Sequence, residues 1–484
     1  MNQSTQDNQE PVDVVIMAAG KGTRMKSSLP KVLHRLGGRA LVAHVIDTAT
    51  RIGGRHIVVV TGHGAPEVEA ALAGTMSGAT PLFARQMPQL GTGHAMQQAI
   101  PLLPDDGTVL VLSGDVPLID ADTLRALVAE SAGRRLALLT IRVADPKGYG
   151  RIVRVQGATD GADAESEGEV QAIVEEKDAS EAQRAIREIY SGVMAVPARL
   201  LRAWLARLDN HNAQGEYYLT DIVGFATVDG VPVVAHRIED ALQVAGVNSP
   251  SQLAALERAL QLRRAEQLMS QGVRLADPAR FDLRGTLVCE SDVEIDVNCV
   301  FEGAVSLGAD VRIGANCVIA NARIESGAVI HPFTHIDGEQ AGVTIGAGAR
   351  IGPFARLRPG ARLGAEVHIG NFVEVKNSTL GNGAKANHLA YLGDATVGQR
   401  VNYGAGSITA NYDGANKHRT IIGDDVHVGS NCVLVAPITI GAGGTVGGGS
   451  TITKSTEPGT LTVSRARQAS FADWERPQKA PKKD

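Results

Sequence analysis

The 484-residue chain is poor in aromatic residues, at 4%, and carries a net charge of only −5. It therefore offers neither the basic field nor the stacking platforms that nucleic acid requires as a main partner. No apolar run approaches the ~20 residues of a membrane helix, so no membrane partner is expected. Cysteine is scarce: Cys289, Cys299, Cys317 and Cys432 all lie in the C-terminal half, without CxxC spacing. No signal-peptide pattern precedes them, so neither a disulfide framework nor a zinc site is indicated, and a reducing cytoplasm is the expected setting. Two phosphate motifs are also missing. GxGxxG fails because Met25 takes the third glycine position, and GxxxxGK[ST] does not occur, which excludes the usual dinucleotide and P-loop readings.

Glycine, by contrast, is plentiful, with 55 residues. Its first concentrated use is in Val12–His34, VDVVIMAAGKGTRMKSSLPKVLH. Val12, Val14, Val15, Ile16 and Met17 form an apolar run that breaks into Ala18-Ala19-Gly20-Lys21-Gly22-Thr23-Arg24, the pattern of a buried strand emptying into a phosphate loop. Small residues let the backbone approach a ligand, Gly20 and Gly22 permit the positive φ that turns N–H groups inward, and Lys21, Arg24 and Lys31 supply cations. An anion of more than one charge is expected here. GxG read alone also fits an ordinary strand-to-helix turn with solvated basic residues.

The length implies two domains. From residue 11 to about 248, strand-like runs alternate with helical ones, and Ile57–Thr61, Val109–Ser113, Leu136–Val143 and Val231–His236 predict a mostly parallel sheet. Ligands of such sheets gather beyond the carboxyl ends of the strands, where Ser113-Gly114-Asp115 falls. Asp115 suits Mg²⁺ held against a triphosphate, since Mg²⁺ takes few protein oxygens; as a lone Gly-Asp pair it also fits a turn. Leu253, Leu256, Leu260 and Leu268 recur at helical spacing between Ser249-Pro250 and Gly272 and predict a linker helix over 249–271.

From about 273 the glycine surplus acquires a period of six. Ile295, Phe301, Leu307, Ile313 and Ile319 set it, the phase shifts at Ile324, and Ile345, Ile351, Leu357, Leu363, Ile369 and Val375 resume it. Ile422, Val428, Leu434, Ile440, Val446 and Ile452 repeat it once more. Such an array predicts a parallel β-helix with three six-residue sides per coil, aliphatics stacked inside and small residues turning the corners. A prism of this kind can serve as an oligomerising scaffold alone. Arg358, Lys376, His388 in Asn387–Asp394, Asn402, Ala405 and the excursion Asn411–Thr420 interrupt the array, and a scaffold has no need of them. A histidine can take a proton from an attacking amine, and Arg358 and Lys376 can bind a sugar phosphate; alone, His388 also fits a surface histidine.

Longer strings carry resemblances. AAGKGTRM followed by LPKVLH resembles the signature of sugar-nucleotide nucleotidyltransferases, which implies that the loop wraps a nucleoside triphosphate and that Lys31 reaches its phosphates. Gln86 and Gln89–Ala95 resemble the base-reading loop of uridylyltransferases, with Gln86, Gly91 and Thr92 matched to uracil. Gly148–Ile152 and Ile173–Asp178 are similar to sugar-side segments, assigning Gly150 and Glu175 to a hexosamine phosphate, and Asn212–Asp221 matches as well. Between the sugar-side segments, Gly157–Glu169 reads as a solvated hairpin tip. Tyr190 departs from the pattern, standing where the family usually has asparagine.

The six-residue array resembles hexapeptide acyltransferases, which form left-handed prisms and are typically trimers. Taken whole, the chain resembles the bacterial bifunctional enzymes that acetylate glucosamine-1-phosphate and transfer UMP to N-acetylglucosamine-1-phosphate. The competing readings are a single-activity nucleotidyltransferase with a scaffold β-helix and a purely structural module. The resemblance implies an α/β nucleotidyltransferase domain with a Rossmann-like, mostly parallel sheet, then a left-handed parallel β-helix of hexapeptide repeats. The expected boundaries are a disordered tail at 1–10, a uridylyltransferase domain at 11–248, the linker helix, an acetyltransferase domain at 272–463 and a tail at 464–484. It further implies UTP and sugar-nucleotide contacts at Met17, Ala18, Ala19, Gly20, Lys31, Gln86, Gly91, Thr92, Ser113, Gly114, Asp115, Gly150, Glu175, Tyr190 and Asn248. Asp115 and Asn248 would hold Mg²⁺, with Arg24 and Lys31 offsetting charge. In the second site His388 would be the base, with Glu374 orienting it. Arg358, Lys376, Tyr391 and Asn402 would hold glucosamine-1-phosphate, and Ala405, Asn411, Tyr412, Ser430, Gly448 and Arg465 would contact acetyl-CoA. Gly448 replaces a common alanine, and the expected assembly is a homotrimer.

Overall fold

The structure, a computed structural model, describes residues 10–73, 80–155 and 168–478. Residues 1–9 and 479–484 of the expected tails, and 157–167 of the expected hairpin tip, lie outside the described residues. The chain divides into two units, Met1–Leu260 and Gln261–Asp484.

Among the described residues of the first unit, nine strands form one sheet: β1 Val12–Met17, β2 Ile57–Thr61, β3 Leu82–Arg85, β4 Thr108–Ser113, β5 Leu136–Arg142, β6 Arg151–Arg154, β7 Val170–Val174, β8 Glu188–Pro197 and β9 Val233–Ile238. Their order is β9-β5-β8-β4-β1-β2-β3, with the β6–β7 hairpin joined to β8. Pairing along the main path is parallel except at β8, which runs antiparallel to both β4 and β5. Strands buried on both faces need apolar residues at successive positions, and β1 and β2 have them. Side chains alternate between the faces. Val15, Val58 and Val60 face a core with Met96, Leu201 and Trp204, while Val14, Ile16 and Val59 face one with Val42, Ile46 and Leu124.

The predicted linker segment is a helix over Pro250–Ser270. Its Leu256 and Leu260 pack with Met25, Leu36, Leu41 and Val247 in the first unit. Its Ala265 and Leu268 join the core of the second, where Gln261 binds both the backbone N–H and C=O of Leu283, at 2.8 and 2.9 Å.

The second unit is a left-handed parallel β-helix in which every strand pair is parallel. Ile295, Ile313, Ile330, Ile351, Ile369, Ala386, Tyr403, Val428 and Val446 stack in register along one face, at steps of 18, 17, 21, 18, 17, 17, 25 and 18 residues. All are buried to at most 3% exposure, and each fully buried aliphatic contributes about 1.5–3 kcal/mol. The longest step contains the excursion Asn411–Thr420.

Corner chemistry differs from the expectation that small residues make the turns. Most glycines following core aliphatics, such as Gly346, do not adopt a positive φ, Gly352 at φ 96° being an exception; a Cβ on Gly346 would come 2.4 Å from the backbone carbonyl carbon of Gly364, so glycine is required there by the close approach of coils. The left-handed turns are shared between glycines, such as Gly327, Gly348, Gly383 and Gly443, and larger residues. Along one edge the latter are Asn298, Asn316, Phe333, Phe354, Phe372, Leu389 and Asn431, all with φ between 48° and 62°. Phe354 stacks on Phe333 and Phe372 at centroid distances of 5.1 and 5.4 Å.

Candidate active sites

In the first unit, Gly114 N–H donates to Met17 O and Ala18 N–H to Val60 O, both at 2.9 Å. The glycine loop and the Ser113-Gly114-Asp115 turn thus leave neighbouring strands at their carboxyl ends. Lys31 begins a one-turn helix, and its stem lies against Gly22, where a Cβ would come 2.7 Å from Lys31 Cβ. Its Nζ donates to Asp115 Oδ2 at 2.5 Å and to Asn248 Oδ1 at 3.2 Å. Val247 N–H donates to Asp115 O at 3.0 Å, fixing Asn248 beside the acid. Two hard oxygens 133 residues apart therefore converge on one cation, and this donor set fits Mg²⁺, which completes its shell with phosphate and water. Among the described residues no cluster of three or more His, Cys, Asp or Glu could hold a metal. Arg24 is exposed in Thr23–Met25.

Gln86, 3% exposed, donates through Nε2 to Gly91 O at 2.9 Å. Gly91 has φ 105°, and a Cβ there would strike Tyr217 O at 2.6 Å. Thr92 Oγ1 already accepts from Leu219 N–H at 3.0 Å. Gly150 and Tyr190 meet through Tyr190 N–H donating to Gly150 O at 2.9 Å. The Tyr190 phenol is shifted upward by burial and by the Glu175 charge. Burial also raises the Glu175 carboxyl, against a hydrogen bond from Thr220 Oγ1 at 3.0 Å. Asp221 is pushed up to about 6, chiefly by burial and further by Asp209, Glu175 and Asp178. Thr220 and Asp221 were not singled out from the sequence, although both lie in the matched segment Asn212–Asp221.

In the β-helix, His388 is exposed at the end of one face. Its partner in register is Asn371, and Nδ1 lies 2.9 Å from Asn371 Oδ1. An amide oxygen only accepts, so this contact requires the proton on Nδ1, and in the neutral imidazole the lone pair is then on Nε2. The hydrogen bonds of Glu374 do not go to the imidazole as expected. They come from Arg358 Nη1 at 2.9 Å and Arg356 Nη1 at 3.5 Å. The coil steps here by 17 residues, which sets Asn371 beside His388 and Glu374 beside Tyr391.

Backbone bonds place the following coils. Gly406 N–H donates to His388 O, Asn431 N–H to Ala405 O and Gly449 N–H to Ser430 O, so Ala405, Ser430 and Gly448 form one column of small residues running on from His388. Arg465 Nη1 closes it on Gly448 O at 2.7 Å. Across the adjoining face, Lys376 and Gly393 are in register, with Tyr391 in that coil. The Lys376 ammonium is shifted downward by Arg358 first, then by desolvation and by Lys417, against a smaller opposing effect of Asp394, as expected where cations are crowded together. Asn411 joins this second edge, donating to Asp394 Oδ2 at 2.5 Å, and Tyr412 stands 61% exposed beside it. Asn402 lies on the His388 face, in register with Lys385 and His427. Within one chain the expected acetyl-CoA residues are thus split between two edges of the prism.

The first fold and site define a nucleotidyltransferase, and the second an acyltransferase of the hexapeptide class. Residues 14–274 match the MobA-like NTP transferase domain family, 342–377 the bacterial transferase hexapeptide family, and 304–331 with 419–454 the hexapeptide repeat of succinyl-transferase. Proteins named "Bifunctional protein GlmU" match nearly end to end. That of Albidiferax ferrireducens is 70% identical over 97% of this chain and 100% of its own length. Those of a Polaromonas species and of Polaromonas naphthalenivorans are 72% and 73% identical, over 98% and 97% of this chain and 99% of theirs. The chain belongs to the bifunctional GlmU family, and is a uridylyltransferase and an acetyltransferase in one polypeptide, acting in UDP-N-acetylglucosamine synthesis.

Proposed function

We propose that the β-helix site acetylates glucosamine-1-phosphate from acetyl-CoA and that the N-terminal site then joins the product to UMP from UTP, releasing pyrophosphate. The observation that carries the acetyl step is the alignment of His388, with Nε2 free, at the foot of the column Ala405, Ser430 and Gly448. An extended thioester cofactor lies along that column and presents its carbonyl to the amine. Arg358 and Lys376 draw the sugar phosphate to the opposite edge of the adjoining face, about 10 Å away at ~3.3 Å per residue, with Tyr391 on that face and Asn402 on the His388 face. The amine nitrogen forms the new N–C bond, His388 Nε2 takes its proton, and the thiolate leaves.

At the first site the sugar phosphate attacks the α-phosphorus of UTP in line, without a covalent enzyme intermediate. Asp115 and Asn248 would hold Mg²⁺, whose charge would stabilise the triphosphate as it transfers. Met17 to Gly20, Ser113, Gly114, Arg24 and Lys31 cradle the phosphates, Gln86, Gly91 and Thr92 read uracil, and Gly150, Glu175 and Tyr190 face the sugar.

A homotrimer completes the acetyl sites. Phe333, Phe354, Phe372 and Leu389 are 47–62% exposed, bulky and in the left-handed region, a costly arrangement for side chains left in water. The ladder ends at Leu389, next to His388, and a second copy covering it would bring its own Asn411–Tyr412 edge within reach of the column. Four free cysteines agree with cytoplasmic action. The test is incubation with glucosamine-1-phosphate, acetyl-CoA, UTP and Mg²⁺. UDP-N-acetylglucosamine, CoA and pyrophosphate are expected, and absence of acetylated sugar would refute the second site.

A further inference from the structure

Lys31 occupies the point on which the two proposed metal ligands converge. Its ammonium is bound to Asp115 Oδ2 at 2.5 Å and Asn248 Oδ1 at 3.2 Å, with Lys31 and Asp115 side chains only 14% and 18% exposed. An ammonium and a divalent cation cannot share those oxygens, because like charges at contact distance in a recessed site repel strongly. We propose that Lys31 closes the divalent-metal position in the free protein and that a nucleoside triphosphate opens it, so metal and nucleotide bind as a coupled pair. This rests on reading Asp115 and Asn248 as metal ligands.

The geometry supplies the switch. The Lys31 stem is pressed against Gly22, where a Cβ would meet Lys31 Cβ, Cγ and Cδ at 2.7, 3.4 and 3.5 Å. The stem therefore stays beside the glycine loop while the ammonium, on the outer torsions of a flexible chain, can turn. Phosphate oxygens on that loop offer the ammonium more negative charge than one carboxylate and one amide. Once Lys31 turns to them, Asp115 Oδ2 and Asn248 Oδ1 are released toward a cation that the same phosphates also bind. By linkage, each ligand tightens the other.

Mn²⁺ alone, titrated against the full-length protein by electron paramagnetic resonance, tests this without catalysis. Wild type should bind Mn²⁺ weakly, and Lys31→Met at least tenfold more tightly, with Lys31→Ala as a second variant; equal affinities would overturn the proposal. Lys26→Met, which removes an exposed charge from the same loop, should stay within twofold of wild type, and a gain equal to that of Lys31→Met would reduce the effect to net charge and overturn it. A nonhydrolysable UTP analogue should raise Mn²⁺ affinity several-fold more in wild type than in Lys31→Met, and equal enhancement also contradicts the proposal. In Lys31→Met with Asp115→Asn the gain should vanish; if it persists, the metal assignment itself is wrong.

Discussion

The two sites of this chain are built on opposite plans. In the first unit, Lys31, Asp115 and Asn248 come from segments up to 217 residues apart and meet in a recess where their polar atoms already bond to one another. In the β-helix, Asn371, His388, Ala405, Ser430 and Gly448 are laid along an edge by the repeat itself, and His388 stays exposed. A sheet edge gathers loops and encloses a site within one unit. An edge of a prism does not enclose a site, so the column beside His388 is open on one side of the single chain.

The sharpest way to break this contrast is to silence one site and leave the other. Asp115→Ala should lower uridylyl transfer by about 10³-fold or more, through loss of several kcal/mol of charge stabilisation, while acetyl transfer stays normal in a coupled assay. Near-normal uridylyl transfer would refute the metal assignment. His388→Ala should cut acetyl transfer by on the order of 10²–10⁴-fold, the usual worth of a general base, with uridylyl transfer to supplied N-acetylglucosamine-1-phosphate unaffected. Asn371→Ala, which frees the imidazole to rotate, should cost on the order of 10-fold in the same step, whereas a larger loss in Glu374→Gln would restore the carboxylate as orienting group.

Phe354→Asp places a charge in the exposed ladder, and should dissociate the assembly in light scattering and lower acetyl transfer about tenfold while uridylyl transfer holds. An active monomer would show that the prism's site is complete alone. Asp221 sharpens the comparison through pH. Its carboxyl is raised from 3.8 to about 6, so between those values the folded state keeps a proton that the unfolded state has lost, and stability falls as pH rises through that window. Asp221→Asn removes this fall. For a partly exposed group the gain is about 1 kcal/mol at most, roughly 2 °C in Tm at pH 7.5, and it should close toward pH 4. The smallest effect is expected at Gly448→Ala. A Cβ there meets Ser430 O at 3.3 Å and nothing closer, so acetyl transfer should stay within about twofold of wild type.

Much of this was legible because the decisive residues lie in contiguous strings. The apolar run ending at Met17 announces β1, and the six-residue period marks the buried rows from Ile295 to Ile452. The antiparallel β8 was not legible, since an insertion into a parallel sheet leaves no mark on an apolar run. Asn371 was missed for a different reason. An interval of fourteen residues selects Glu374, but the coil through His388 has 17, and a single-residue error in coil length changes which side chain lies alongside. The aromatic ladder was hidden because small corner residues are expected where the backbone turns left, and Phe333, Phe354 and Phe372 instead bear the strain. Thr220 supports Glu175 from 45 residues away, a pairing set by tertiary contact alone.

The register of the prism also bears on how the chain is made. Successive coils pair residues only 16 to 25 apart, whereas β1, after meeting β2, must wait for its other neighbour β4, 96 residues later. Closing the longer loop costs about 1.5 kcal/mol more by the logarithmic rule. On a ribosome adding ~5–20 residues per second, each new coil emerges within a few seconds and docks on the one before it. The second unit can therefore grow as a zipper from its N-terminal coil. The 25-residue step from Tyr403 to Val428 is the place where that growth should pause, with the His388 coil already laid down and the outer part of its column still to come.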